Sequence, residues 1–256
     1  MRYEADPCDP GTVLALRERY RIEMDCQLVS FQIHAREGWT ETYSLLADGE
    51  PAGFGTKAMA GPWRDQPTLI EFYVAPEQRR HVLGLFDALL AKSGARHIET
   101  QSNATLLADM LHAVSRDAIR ESILFEHRCT TSLPANGASL RQVTPEADLR
   151  EAIERRDGGG EWQLLLDGAL LGHGGILFHY NRPYGDIHME IEGPHRRRGW
   201  GAYFVQELKR ACWALGAVPA ARCNADNLAS RHTLQKAGFA PCGHRLKGSI
   251  APGGRA

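Results

Sequence analysis

From residue 186 the chain reads DIHMEIE, with Ile187, Met189 and Ile191 set between Asp186, His188, Glu190 and Glu192. A period of two is the pattern of a strand with one apolar face. From residue 199 the period lengthens. Trp200, Tyr203, Phe204, Leu208, Ala211 and Leu215 recur on one side of a predicted helix, with Gln206, Glu207, Lys209 and Arg210 on the other. Upstream, SLRQVT predicts an opening strand, EADLREAIERR a short helix ended by the Gly158-Gly159-Gly160 loop, and EWQLLLD with LLGHGGILFHY a hairpin. Downstream come a strand in VPAARCNA, a helix from near Asn227 and a strand from Phe239. This order predicts an α+β domain around a mixed, mostly antiparallel sheet flanked by helices.

The same pattern occurs earlier in the chain. YSLLADGEPAGFG, residues 43 to 55, aligns with WQLLLDGALLGHG, residues 162 to 174, in its aromatic, two leucines, Asp-Gly and both later glycines. Each Asp-Gly pair suits a type I′ hairpin turn, whose two central positions need positive φ. VAPEQRRHVLG, residues 74 to 84, likewise echoes IEGPHRRRGWG, residues 191 to 201. Two tandem copies of one fold follow, residues 1–135 and 136–256, divided at the linker-like stretch PANGA, residues 134 to 138.

Composition narrows the function classes. With 30 basic and 31 acidic residues the formal charge is -1, so no bulk field draws the molecule to nucleic acid or to an anionic membrane. The amino terminus lacks a signal-peptide run, and no long apolar stretch predicts a membrane span, which points to a cytoplasmic protein. The six cysteines form no CxxC pair, as expected for reduced thiols, and Cys223 reads as a buried, inert one. His173, His179, His188 and His195 carry no metal-ligand spacing, so no metal is expected.

The stretch HRRRGWGA, residues 195 to 202, puts charge and bare backbone at the start of the predicted helix. Helix starts leave N–H groups unpaired and carry partial positive charge, a natural seat for phosphate. Gly199 and Gly201 clear the approach, and Arg196, Arg197 and Arg198 can add charge-assisted bonds. The alternative is a plain glycine turn with solvated arginines. The spacing is neither the Rossmann GxGxxG nor the Walker GxxxxGK[ST] pattern.

Arg196-x-x-Gly199-x-Gly201-Ala202 after a strand resembles the acyl-CoA pyrophosphate loop of the GNAT superfamily of N-acyltransferases, whose motif is Q/R-x-x-G-x-G/A. The stretch Asn227-Leu-Ala-Ser230-x-x-x-Leu234-Gln-Lys236-Ala-Gly238-Phe239 is similar to the superfamily's late helix. The resemblance implies two tandem GNAT-like domains with acetyl-CoA as acyl donor. Its pyrophosphate would lie on residues 196 to 202, Trp200 included, and its pantetheine between DIHMEIE and VPAARCNA, splayed apart. It also implies cofactor contacts from Asn227 and Ser230, and an oxyanion held by a backbone N–H near Ile191 or Glu192. The first copy has Val82 where the loop needs its first glycine, so it reads as a degenerate copy that has lost the cofactor.

Amine acylation needs a base, because an alkyl ammonium of pKa ~10.4 is neutral in only about one molecule in two to three thousand at pH 7. The candidates, in order, are Glu190, His188 and Asp186, on the strand that feeds the loop; the alternative is a solvated polar strand face. The tyrosine with which many members of the superfamily protonate the leaving thiolate is replaced by Leu234, leaving His232, Ser230 or solvent. The resulting reading is an acetyl-CoA-dependent N-acetyltransferase acting on a primary amine of a small molecule or peptide, with its active site in the second copy. A non-catalytic acyl-CoA sensor is the alternative, and RNA binding through the arginine run is disfavoured by the near-neutral composition.

Overall fold

A computed structural model describes residues 1–251, so residues 252–256 of the expected second domain lie outside the described residues. In chain order the main elements are β1 (Tyr3–Cys8), α1 (Leu14–Met24), β2 (Thr40–Ala47), β3 (Glu50–Ala58), β4 (Thr68–Val74), α2 (Val82–Ser93), β5 (His97–Gln101), α3 (Thr105–Val114) and β6 (Ile119–His127). They continue with β7 (Ala138–Gln142), α4 (Glu146–Arg155), β8 (Gly159–Leu166), β9 (Ala169–Leu177), β10 (Tyr184–Ile191), α5 (Trp200–Ala214), β11 (Val218–Asn224), α6 (Leu228–Lys236) and β12 (Phe239–Ser249). The elements expected from the periodicities are all present. Gly159 and Gly160 differ, opening β8 rather than sitting in the loop before it. Asp48 and Gly49 have φ of 51° and 85°, and Asp167 and Gly168 have 49° and 81°, the backbone that a type I′ turn requires.

The chain forms two compact units, neither of them a single run of sequence. The first comprises Met1–Cys26, Ile33–Glu121 and the chain from His244; the second comprises Gln27–Gln32 and Ser122–Gly243. This differs from a division at 135/136, since residues 134 to 138 fall inside the second unit. The cause is where two strands pair. β6 lies antiparallel to β11, with Ile123 opposite Cys223, so it completes the second unit's sheet. The end of β12 lies antiparallel to β5, with Leu246 opposite Thr100, and completes the first. A sequence repeat marks equivalent positions and is blind to which sheet a strand joins.

In the first unit the strand order is β1-β2-β3-β4-β5 and then the end of β12; in the second it is β6-β11-β10-β9-β8-β7. The pairings are antiparallel except β4 with β5 and β10 with β11. Each sheet is thus mixed and mostly antiparallel, with helices on it, as the GNAT resemblance implies.

In the second unit α5 buries Phe204, Leu208 and Cys212 in one core with Ile176, Phe178 and Ile187. Each such large side chain contributes roughly 1.5–3 kcal/mol through removal from water. The polar face of α5 departs from expectation, because Gln206 and Lys209 are buried. Gln206 exchanges hydrogen bonds with the backbone N–H and carbonyl of Leu133. Lys209 Nζ donates to the carbonyls of Cys129 at 2.8 Å and Ala237 at 2.6 Å. Both side chains satisfy backbone groups of the segment that covers this face, which makes their burial tolerable. Buried Arg156 similarly holds the 180–184 loop, donating to the carbonyls of Tyr180 and Tyr184.

Candidate active site

The site is created where two parallel strands stop pairing. β10 and β11 keep parallel register from Tyr184↔Val218 to Ile187↔Ala221. Beyond it, β10 continues beside β9 alone as far as Ile191↔Gly172, while Arg222, Cys223 and Asn224 of β11 continue beside β6. A wedge therefore opens in the sheet after Ile187.

Backbone alternation decides which groups of β10 look into it. Glu192 N–H donates to Leu171 O at 2.9 Å, toward β9. Neighbouring residues of a strand point their N–H and C=O groups to opposite sides, so Met189 and Ile191 direct theirs into the wedge. The Glu192 amide is thereby spent, and of the two expected oxyanion donors only Ile191 is available. The ladder with β9 holds a single register through this stretch.

A cavity of about 610 Å³ occupies this place. Of the residues expected to hold the cofactor, Ile191, Arg196, Arg197, Gly199, Gly201, Ala202, Asn227 and Ser230 line it. Glu192, Arg198 and Trp200 are not among its lining residues. Glu192 lies 3.5 Å from His173 instead, Arg198 is exposed, and Trp200 packs on the core. Met189, His195, His232, Thr233 and Lys236 also line the cavity. Ala229, His232, Thr233 and Lys236 recur at the spacing of one helix face, which is the signal that finds them in the sequence.

Two glycines shape the cradle for different reasons. Gly199 caps α5 with φ of 89°, a left-handed backbone that side chains disfavour. Gly201 lies one helical step inside, where a Cβ would come within 3.2 Å of Thr233 Cγ2 and 3.3 Å of Met189 Cε. Its bareness allows α5, α6 and β10 to converge. The first N–H groups of α5 have no carbonyl one turn earlier to accept from them, and they open on the cavity. Asn227 caps α6, its Oδ1 accepting from Ser230 N at 3.0 Å. Arg196 reaches back, donating through Nε to Ile191 O at 2.8 Å and through Nη2 to Glu190 Oε1 at 2.7 Å. Both partners of that ion pair are more than half exposed, so it is weak and easily exchanged for a ligand.

The three candidate bases occupy unlike environments. Glu190 lines the cavity, tied to Arg196. His188 is exposed, with Nε2 3.4 Å from Glu161. Asp186 is 4% exposed, and burial pushes its carboxyl up to about 6 against the opposing pull of Arg222 and a Tyr180 hydrogen bond. His179 Nε2 lies 3.4 Å and Arg222 Nε 3.6 Å from Asp186 Oδ2. The even-numbered strand face is thus not uniformly solvated. Its end nearest the parallel pairs is sealed. Leu234 is buried among the core residues, and burial raises the Cys223 thiol.

The first unit offers a direct contrast. At the corresponding place, between Phe72 and Tyr73 of β4, Arg79 and the start of α3, the space is about 20 Å³. Tyr20, Glu23 and Met24 of α1 line it. Arg79 is ion-paired with Glu23. A Cβ on Gly84 would come within 2.2 Å of the Tyr3 ring, so Tyr3 covers the helix face where a ligand would lie.

The sequence pattern of the Acetyltransferase (GNAT) family matches residues 123–239, nearly the whole second unit and all of this geometry. The second unit belongs to the GNAT superfamily. GNAT membership supports acyl transfer from an acyl-CoA donor to an acceptor. Solved structures extend the likeness of fold along the chain. A GNAT-family acetyltransferase from Colwellia psychrerythraea superposes with TM-score 0.69 at 15% identity, covering 97% of this chain and 100% of that one. A tandem GNAT protein from the clavulanic acid biosynthesis pathway gives 0.62 at 14%, covering 98% and 99%. A GCN5-related N-acetyltransferase from Sphaerobacter thermophilus gives 0.58 at 17%, covering 98% and 96%. At these identities the likeness is one of fold. No curated protein sequence matches the chain. No helix among the described residues is long and apolar enough to cross a membrane.

Proposed function

We propose that the protein is an acetyl-CoA-dependent N-acetyltransferase acting on a primary amine, with its active site in the second unit and a first unit that does not bind the cofactor. The observation that carries this reading is the open wedge between β10 and β11, ending at the start of α5. The pyrophosphate sits on the α5 N–H groups with Arg196 and Arg197, and the pantetheine runs into the wedge along Met189 and Ile191. The thioester carbonyl accepts from Ile191 N–H, which steadies the negative charge that develops as nitrogen attacks.

Asp186 takes the amine proton by way of solvent, because its carboxyl is buried and is not among the residues that line the cavity. It shares the face of β10 opposite α5 with His188 and Glu190, beside the point where the wedge opens, and its raised pKa makes it a stronger base than an ordinary carboxylate. The C–N bond forms, the C–S bond breaks, and the thiolate leaves with a proton. Buried Leu234 supplies none, so solvent in the open cavity, or Ser230 on its wall, delivers it. A cytoplasmic setting fits the six free thiols.

Acetyl-CoA is incubated with small amines, polyamines, aminoglycosides and peptides, and CoA release is followed. Acceptor-dependent release with acetyl appearing on nitrogen is expected. Tight acetyl-CoA binding without release for any acceptor would instead support a non-catalytic acyl-CoA sensor, the alternative that the absent phenol at position 234 favours.

A further inference from the structure

The cavity holds more positive charge than a pyrophosphate accounts for. Arg196, Arg197 and the α5 N–H groups face one end. His232 and Lys236 stand on another wall, one turn apart on the exposed side of α6. Arg196 is partly balanced by Glu190, whereas among the described residues neither Arg197 nor Lys236 has an acidic partner within 4.0 Å. Lys236 and His232 belong to α6, whereas Arg196, Arg197 and Gly199 belong to the turn before α5, so the cavity draws its cations from two separate elements.

We infer that Lys236, with His232 beside it, forms a second anion subsite that recognises the ribose 3′-phosphate of the CoA donor. This inference rests on the acyl-CoA reading above. A 3′-phosphate monoester carries about −1.5 to −2 at neutral pH, more than either group of a pyrophosphate diester, and is joined to it through the ribose alone. In this proposal the donor is seated by its pyrophosphate on α5, and its 3′-phosphate reaches the end of α6 that carries Lys236 and His232, which line the same cavity. The Lys236 ammonium then offers a mobile point charge, and His232 a ring N–H. The site thus distinguishes CoA esters from carriers ending in phosphopantetheine or in a dephosphorylated nucleotide, through residues outside the Q/R-x-x-G-x-G/A loop.

The last turn of a helix favours a cation whether or not a ligand is present, so the test must read the phosphate itself. CoA and 3′-dephospho-CoA are titrated calorimetrically against the full chain, Lys236→Ala, Lys236→Arg and His232→Gln. The unaltered protein should bind CoA about tenfold more tightly than dephospho-CoA, the value of one charge-assisted contact near solvent. Lys236→Ala should lose that advantage while keeping its affinity for dephospho-CoA, Lys236→Arg should retain most of it, and His232→Gln should lose part. Both altered residues are exposed, and an unchanged melting temperature verifies the fold. Equal weakening toward both ligands, or no discrimination by the unaltered protein, overturns the subsite while leaving the acyl-CoA reading intact. Failure of the unaltered protein to bind either ligand sinks that reading itself.

Discussion

Asp186 Oδ2 lies 3.6 Å from Arg222 Nε, joining the two strands at the point where their parallel pairing gives out. The carboxylate is buried, yet its partner is one-third exposed and 3.6 Å is long for a hydrogen bond. The arginine therefore offsets only part of the desolvation, and the carboxyl rests near 6. A group so balanced can change protonation state at little cost, which suits it to proton transfer.

Asp186→Asn should lower kcat by roughly 100-fold or more. In the unaltered enzyme the rate should climb as pH rises through about 6, where the base ionises; in the variant that limb should vanish. Stability should move the other way. The folded pKa is raised from 3.8 to about 6, so between those values the folded state binds more protons than the unfolded one, and stability falls as pH rises. The whole effect is on the order of 3 kcal/mol. Melting curves at pH 4 and 8 should show this loss in the unaltered protein and a smaller one in Asp186→Asn. An active variant with its acid limb intact would exclude Asp186 as base.

Glu190→Gln should leave most of kcat in place and tighten acetyl-CoA binding a few-fold. The carboxylate occupies Arg196 and adds negative charge at a phosphate seat. Removing the charge frees the guanidinium for the ligand. Steady-state kinetics with a fixed acceptor measure both parameters. A collapse of kcat here would return the base to Glu190, the first choice on sequence grounds.

How far the site was legible depends on what each residue's pattern encodes. Gly199 and Gly201 were readable because a helix start that meets an anion has few solutions in sequence. The alternation of DIHMEIE located β10 and its faces, but periodicity treats Asp186 and Glu190 alike. It cannot register that Asp186 pairs with β11 and is sealed by His179 and Tyr180, whereas Glu190 projects where β11 has departed. Gln206 and Lys209 were misplaced for a related reason. A polar helix face looks solvated in sequence unless the backbone it satisfies, here at residues 129, 133 and 237, is known. The exchange of β6 and β12 between units leaves no mark on a repeat alignment.

Gly199→Ala and Gly201→Ala should both weaken CoA binding, by different routes. At residue 199 the added methyl meets nothing within 4 Å, and the penalty is the backbone at φ of 89°, roughly 1–2 kcal/mol. The turn should relax and misdirect its N–H groups. At residue 201 the methyl presses on Thr233 and Met189 and pushes α6 from α5. Amide hydrogen exchange separates the two: α6 should lose protection in the second variant alone, while titration with CoA reports weakening in both.

Restoring the first unit's glycine should not restore a site. Val82→Gly leaves Tyr3 over Gly84, Arg79 tied to Glu23, and a space of about 20 Å³. Equilibrium dialysis should give one CoA per chain for both Val82→Gly and the unaltered protein. Two per chain in either would contradict the assignment of the cofactor to the second unit alone.

Lys209→Met tests the support beneath the site. The ammonium binds two carbonyls, at Cys129 and Ala237, and lies 4.9 Å from the Phe239 ring centre. Methionine matches the stem but leaves both acceptors without their partner, a loss of roughly 1–3 kcal/mol for each buried group. Ala237 ends α6, whose other face lines the cavity, so the damage should travel to ligand binding. The variant should melt several degrees lower and bind CoA more weakly, and saturating CoA should recover part of the lost melting temperature. Loss of stability with unaltered CoA affinity would mean that the end of α6 is held by its other contacts, and that Lys209 serves the core alone.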